Sequence, residues 1–145
     1  MATSTLRAVD AQTSSADTGR LVLRLVLGVL ILLHGIAKLQ GPPDFVVGML
    51  GKAGLPPVLA YAVYIGEVLA PVLLILGLWT RAAAIVIVVN MIFAIYLVHM
   101  GDLFKLGKQG GYALELQAMY LFTAIAIAFL GAGRYSLGGR FGPMN

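Results

Sequence analysis

A carboxylate in the middle of an apolar run is the residue on which chemistry would be built. Glu67 stands nine residues into Val58 to Leu78, about 13 Å along a helix rising 1.5 Å per residue. An isolated carboxylate at that depth costs several kcal/mol, so it must be protonated, paired or turned into a wet interior. A carboxyl group in such a place can take up and release protons. Pro71 follows four residues later; its ring clashes with the carbonyl of residue i−4, here Glu67, and it supplies no N–H to that carbonyl. The spacing predicts a kink and a free Glu67 carbonyl, which is tolerated only inside protein or beside water. The alternative is a neutral Glu67 that bonds a neighbouring helix and does no more. By the same helical rise His34 and Lys38 lie near one end of their apolar run, His99 ends another, and Glu115 begins a fourth. Two imidazoles, an ammonium and two carboxylates from four segments thus share one half of the molecule. Hydrogen-bonding acids, bases and donors of this kind suit a polar ligand site, with Glu67 and His34 as the groups to move protons. Singly, Lys38 can snorkel, His99 and Glu115 can be solvated helix ends, and His34 can bond a carbonyl. Asn90, Tyr64, Tyr96, Gln117 and Tyr120 read as interhelical hydrogen-bonding residues.

The segments that carry these residues are membrane spans. The 145 residues are 60% hydrophobic and 11% charged, far below the charge of a soluble domain. Four apolar runs have spanning length, at about 21–39, 58–78, 82–100 and 113–131. The expected fold is all-α, an integral membrane four-helix bundle over residues 20–137. Residues 1–19 lack hydrophobic period and read as a disordered tail, and 138–145 as a C-terminal tail. On the first span Arg24, Gly28, His34, Gly35 and Lys38 fall within about a third of the helix circumference. The opposite side carries Leu23, Val26, Leu30, Leu33 and Ala37, which lipid accepts. Trp79 to Arg81 is a tight turn, so the second and third spans form an antiparallel hairpin. Asp44 is placed to cap a short helix through Lys52 that lies at the membrane surface.

An even number of spans puts both termini on one side. Arg7, Arg20, Arg24, Arg81, Arg134 and Arg140 group there, against Lys38, Lys52, Lys105 and Lys108 on the other. The bias toward six places both termini in the cytoplasm and the protein in the inner (plasma) membrane as a multi-pass chain. The net charge of +4 is explained by these helix ends, so no nucleic-acid partner is expected. With no cysteine, the chain offers no thiolate for disulfide exchange or for an iron–sulfur cluster, and no metal site is expected.

Several short motifs resemble the DoxX family when taken in order. They are His34-Gly35 with Lys38, Gly-Leu-Pro before the second span, Gly66-Glu67, Gly77 with Arg81, Gly110-Gly111-Tyr112, and the closing Gly131-Ala-Gly-Arg-Tyr-Ser-Leu137. The resemblance covers Arg20 to Leu137 and implies a four-helix membrane bundle. Relatives of that kind include DoxD, a membrane subunit of a thiosulfate:quinone oxidoreductase, and others linked with dioxygenases or oxidative-stress systems. Gly138 departs from the family, where Asp often follows Ser-Leu, and Glu115 falls several residues after the glycine pair.

The leading expectation is therefore a quinone-linked redox component, not catalytic alone, with a partner oxidoreductase subunit. Lipid is its surroundings, and further copies of the chain are possible partners. A quinone needs donors at its carbonyls and a proton route, while its tail wants lipid. His34 and Lys38 would donate, Glu67 would relay, and His99 and Glu115 would complete a ligand site in the outer half of the bundle. Such a site calls for a cavity of about 300 Å³ or more lined by His34 and Glu67. A haem b between His34 and His99 is a lesser alternative. Two other functions remain open: a non-catalytic membrane scaffold whose polar groups satisfy one another, and a small-molecule carrier or detoxification factor.

Overall fold

The computed structural model describes residues 2–41 and 43–145, with side chains from Thr13 onward. Met1, Pro42 of the predicted helix-breaking Gly-Pro-Pro-Asp, and the Arg7 side chain lie outside the described residues. The described residues form five helices: α1 (Ala2–Leu39), α2 (Asp44–Lys52), α3 (Pro57–Leu76), α4 (Thr80–Asp102) and α5 (Glu115–Leu130). Thr13–Leu39 of α1, α3 and α4 are each long and apolar enough to cross a membrane. Sequential neighbours pack in a closed ring, α1 on α3, α3 on α4, α4 on α5 and α5 back on α1, giving the expected all-helical four-helix bundle plus the small α2.

The helix boundaries differ from the sequence expectation at two places. Residues 2–19 continue α1 instead of forming a tail. No proline interrupts the stretch, and Asp17 and Arg20, one turn apart, pair at 2.5 Å. Asp17 is buried beneath Gly133, where an added Cβ would stand 3.0 Å from its Oδ1. At the other end of the chain α5 is 16 residues long, about 24 Å, shorter than the apolar run from 113 to 131. Before it, Leu106 and Tyr112 pair across a small loop whose Gly110 has φ +84°. After it, Gly131 at φ +73° stops the helix, since glycine takes left-handed backbone without strain.

The core is a column of Leu27, Ile31, Leu74, Ala84, Ile87, Met91, Ala124 and Ile127. Leu23, expected to face lipid, packs against it, whereas Val26, Leu30 and Leu33 are exposed as expected. The expected tight turn between α3 and α4 is made by Gly77, Leu78 and Trp79, with Gly77 at φ +71° and Trp79 at φ +46°. Residues 138–145 do not trail away. Gly138 N donates to Gly77 O, Arg81 N donates to Met144 O at 2.8 Å, and Asn145 Oδ1 accepts from Thr80 N at 2.9 Å. An otherwise orphaned donor at the start of α4 is thereby satisfied. Asn145 Nδ2 also donates to Gly77 O and Gly139 O. Arg24, buried, donates to Tyr135 O at 2.7 Å, so the N-terminal half of α1 and the C-terminal segment meet at the hairpin end of the bundle. The opposite end carries α2 and the loop from 103 to 114. In α2 Asp44 is the first helical residue and makes no side-chain cap bond; Leu50 is buried while Phe45 is exposed, an amphipathic placement.

Candidate functional site

Pro71 acts on its helix as its chemistry requires. The turn before it, Ile65–Leu69, is wound as a π-helix centred on Glu67. Such single-turn bulges widen a helix where a backbone bond has been lost. The Glu67 carbonyl, which cannot be served by Pro71, faces α1 at its point of closest approach. A Cβ on Gly35 would collide with that oxygen and stand 2.7 Å from its carbon. Only glycine lets the two backbones meet so closely, where a Cα–H can face the carbonyl.

Close approach of α1 to α3 brings Lys38 to Glu67. Lys38 Nζ donates to Glu67 Oε1 at 2.5 Å. Glu67 is 4% exposed, and the Lys38 side chain is 40% exposed at the α2 end. Asn90 Nδ2 makes a longer bond, 3.4 Å, to the same Oε1. Gly66 permits it, since a Cβ there would stand 2.6 Å from the Asn90 Cβ and Cγ. Glu67 Oε2 is buried with no hydrogen-bond partner among the described residues. Its carboxyl group is therefore held through one oxygen, with the other enclosed.

A chamber of about 120 Å³ opens beside this pair, lined by His34, Lys38, Glu67, His99, Gln117 and Tyr120 together with the apolar Ile31, Met91, Ala94 and Leu116. His34 meets the Tyr120 ring edge-on at a centroid distance of 6.1 Å. Gln117 Nε2 lies 3.2 Å from His99 Nε2; with the amide donating, that imidazole nitrogen accepts and the ring proton sits on Nδ1. The turn of α4 that positions His99, Ile95–His99, is again a π-helix. Tyr64 Oη, donating to Lys38 O at 3.5 Å, ties the ends of α1 and α3 together.

Four of the five expected site residues thus converge: His34, Lys38, Glu67 and His99. Glu115 does not join them. It is exposed at the start of α5, and its Oε2 lies where a Cβ on Gly111 would come within 2.8 Å, so the carboxylate folds back over the preceding turn. Gln117 and Tyr120 take its place. Their three-residue spacing puts them on one face of α5, the one sequence signal that would have set them apart from Glu115. The chamber is smaller than the 300 Å³ expected. It has room for about four waters at roughly 30 Å³ each and not for a quinone ring. Among the described residues no cluster of three or more His, Asp or Glu side chains can hold a metal ion.

Comparison with known proteins identifies the family. The DoxX family model matches residues 19–100. A Haemophilus influenzae protein described as uncharacterized is 36% identical over 122 residues, 82% of this chain and 87% of its own length. "Putative oxidoreductase CatD" of Bacillus subtilis is 31% identical over 74% of this chain and 79% of its own. An uncharacterized membrane protein of Mycobacterium tuberculosis is 31% identical over 79% of this chain and 76% of its own. No solved structure matches the chain. Residues 19–100 hold the Gly35 to Glu67 approach, the Lys38 pair, Asn90 and His99, and this chain is a membrane protein of the DoxX family.

Proposed function

We propose that the protein is a quinone-linked redox component of the inner membrane, multi-pass, with both termini cytoplasmic. The observation that carries this reading is the buried Glu67 carboxyl group, bonded through Oε1 to Lys38 and left unpartnered at Oε2, beside a chamber of two imidazoles. Here a proton acceptor is kept open, next to bases able to resupply it.

A quinone accepts two electrons and two protons to become a quinol. This chain's residues deal with the protons. Glu67 delivers from Oε2, Lys38 stabilises the carboxylate left behind, and His34 and His99 connect Glu67 to the α2 end through the chamber's waters. Proton transfer by a positioned group contributes about 10²- to 10⁴-fold to rate. The electrons come from a partner oxidoreductase subunit, a role consistent with the word oxidoreductase in the name of the Bacillus subtilis relative. The chamber's small volume fits it for water and protons, with the ligand ring outside it.

The test is chemical analysis of the organic extract from protein purified in mild detergent. An isoprenoid quinone recovered at about one per chain supports the reading. Its absence, together with no saturable binding of an added decyl-benzoquinone, overturns it in favour of a scaffold.

A further inference from the structure

The geometry points to a second, apolar cavity as the seat of the ligand's ring and tail, with Asn90 as the residue that positions the ring; we infer this on top of the quinone reading. A groove of about 310 Å³ runs along α4 and is closed at the other side by α3 and at one end by Val46 and Leu50 of α2. Its α4 wall extends from Ile85 to Leu97, about 18 Å by helical rise. Ile85, Val89 and Phe93 are each about half exposed, so the groove opens sideways into lipid.

One polar side chain lines it, Asn90. That amide sends one N–H toward Glu67 Oε1 and retains a second N–H and a carbonyl. At membrane depth polar groups need partners, because lipid supplies none. The depth identifies the partner. Asn90 is ten residues from the start of α4 and twelve from its end, about 15 Å or more from either surface. A phospholipid carries its polar groups at the surface and brings only methylenes to this level. A quinone carries ring carbonyls that can lie in the bilayer interior, on a chain that fills an elongated apolar slot. Placed there, a carbonyl oxygen accepts from the free Asn90 N–H, and the same amide links it to Glu67, the chamber and Lys38. The 310 Å³ groove meets the lower limit for a small-molecule site, where the chamber does not.

The experiment uses the full chain in nanodiscs, an azido-benzoquinone with a decyl tail, and mass spectrometry of the labelled peptides. Label is expected on residues 85–97 and 59–66, displaced by unlabelled decyl-benzoquinone. Val89→Trp fills the groove from its lipid side and should cut labelling at least about tenfold; Ile85→Trp is a second, independent filling. Asn90→Leu should weaken binding about tenfold, the loss of one buried hydrogen bond. Phe129→Trp, on the exposed face of α5, should change nothing. Saturable binding that labels other helices and ignores both tryptophans would refute the groove and leave the quinone reading standing. No saturable binding to the wild type would end both. A photoactivatable phospholipid that labels residues 85–97 and is not displaced by decyl-benzoquinone would give the groove to lipid and overturn the inference.

Discussion

Gly35→Ala is the sharpest structural perturbation the molecule offers. The new Cβ would meet the Glu67 carbonyl, 2.7 Å from its carbon and 2.8 Å from Val68 Cγ2, whereas ordinary contact begins at 3.4 Å. The helices must part by more than the 0.7 Å that the carbon alone would require, because the oxygen lies closer still, and the obstacle is backbone in a proline-locked turn, which cannot step aside as a flexible side chain would. Overpacking of this kind costs about 1–3 kcal/mol. Losing the Cα–H contact to the freed carbonyl adds roughly 0.5–1 kcal/mol. A methyl group gained in helix propensity returns about 1 kcal/mol at most, leaving a net loss of about 1–3 kcal/mol. For a chain of this size that is a fall in Tm of about 3–10 °C. Gly48→Ala is the internal control: nothing lies within 4 Å of its Cβ, and it should be neutral or stabilising by up to about 1 kcal/mol. Thermal unfolding of both variants in one detergent decides the matter. If Gly35→Ala melts with the wild type, α1 and α3 do not meet as closely as described, and the Lys38 to Glu67 contact that depends on that approach goes with it.

Three further outcomes are expected. Lys38→Met strands the Glu67 carboxyl group in apolar surroundings, while Lys38→Met with Glu67→Gln removes both charges; the double variant should be more stable than Lys38→Met alone. The coupling should be about 1 kcal/mol, small because Lys38 is 40% exposed, and additive effects in denaturation would disprove the pairing. Asn145→Ala removes the side-chain acceptor at Thr80 N and the donor to Gly77 O and Gly139 O. It should lower stability by about 1–2 kcal/mol, as loss of an N-cap does; a difference below about 0.3 kcal/mol would mean the C-terminal segment is not docked on the hairpin. Reporter fusions at the two ends should both be active only as cytoplasmic reporters, since the arginines gather at that side, and a periplasm-specific signal at either end would reverse the topology.

Much of this fold is legible in the sequence, because a membrane imposes few solutions. Apolar runs of spanning length mark the three helices long enough to cross a membrane, while the fourth run folds as the shorter α5, and the cost of Glu67 at depth calls for a partner, found in Lys38. The Glu67 to Pro71 spacing foretold a broken helix; its form, a π-turn clasped by Gly35 of another helix, depends on packing between segments far apart in the chain. Glu115 was misplaced for a similar reason: the loop from 103 to 114 decides where α5 starts, and a one-residue change in that start turns a side chain through 100°. Residues 2–19 and 138–145 look like tails because they lack hydrophobic period. Their order comes from the Asp17 pair with Arg20 and from Asn145 capping α4, polar contacts with no periodic signature. The groove is not legible in the sequence because it is made of ordinary lipid-facing residues, and only the fold shows that the half-buried Asn90 lines it.

The central claim is that Glu67 exchanges a proton with a quinone. Infrared difference spectroscopy of protein loaded with decyl-benzoquinone, reduced at an electrode so that no partner subunit is required, tests it directly. The reduced-minus-oxidised spectrum should contain a carboxyl C=O band, from a change in the protonation or hydrogen bonding of Glu67, that is missing in a folded Glu67→Gln variant that still binds the quinone. A spectrum with no carboxyl band, or with the same band in Glu67→Gln, would contradict the account.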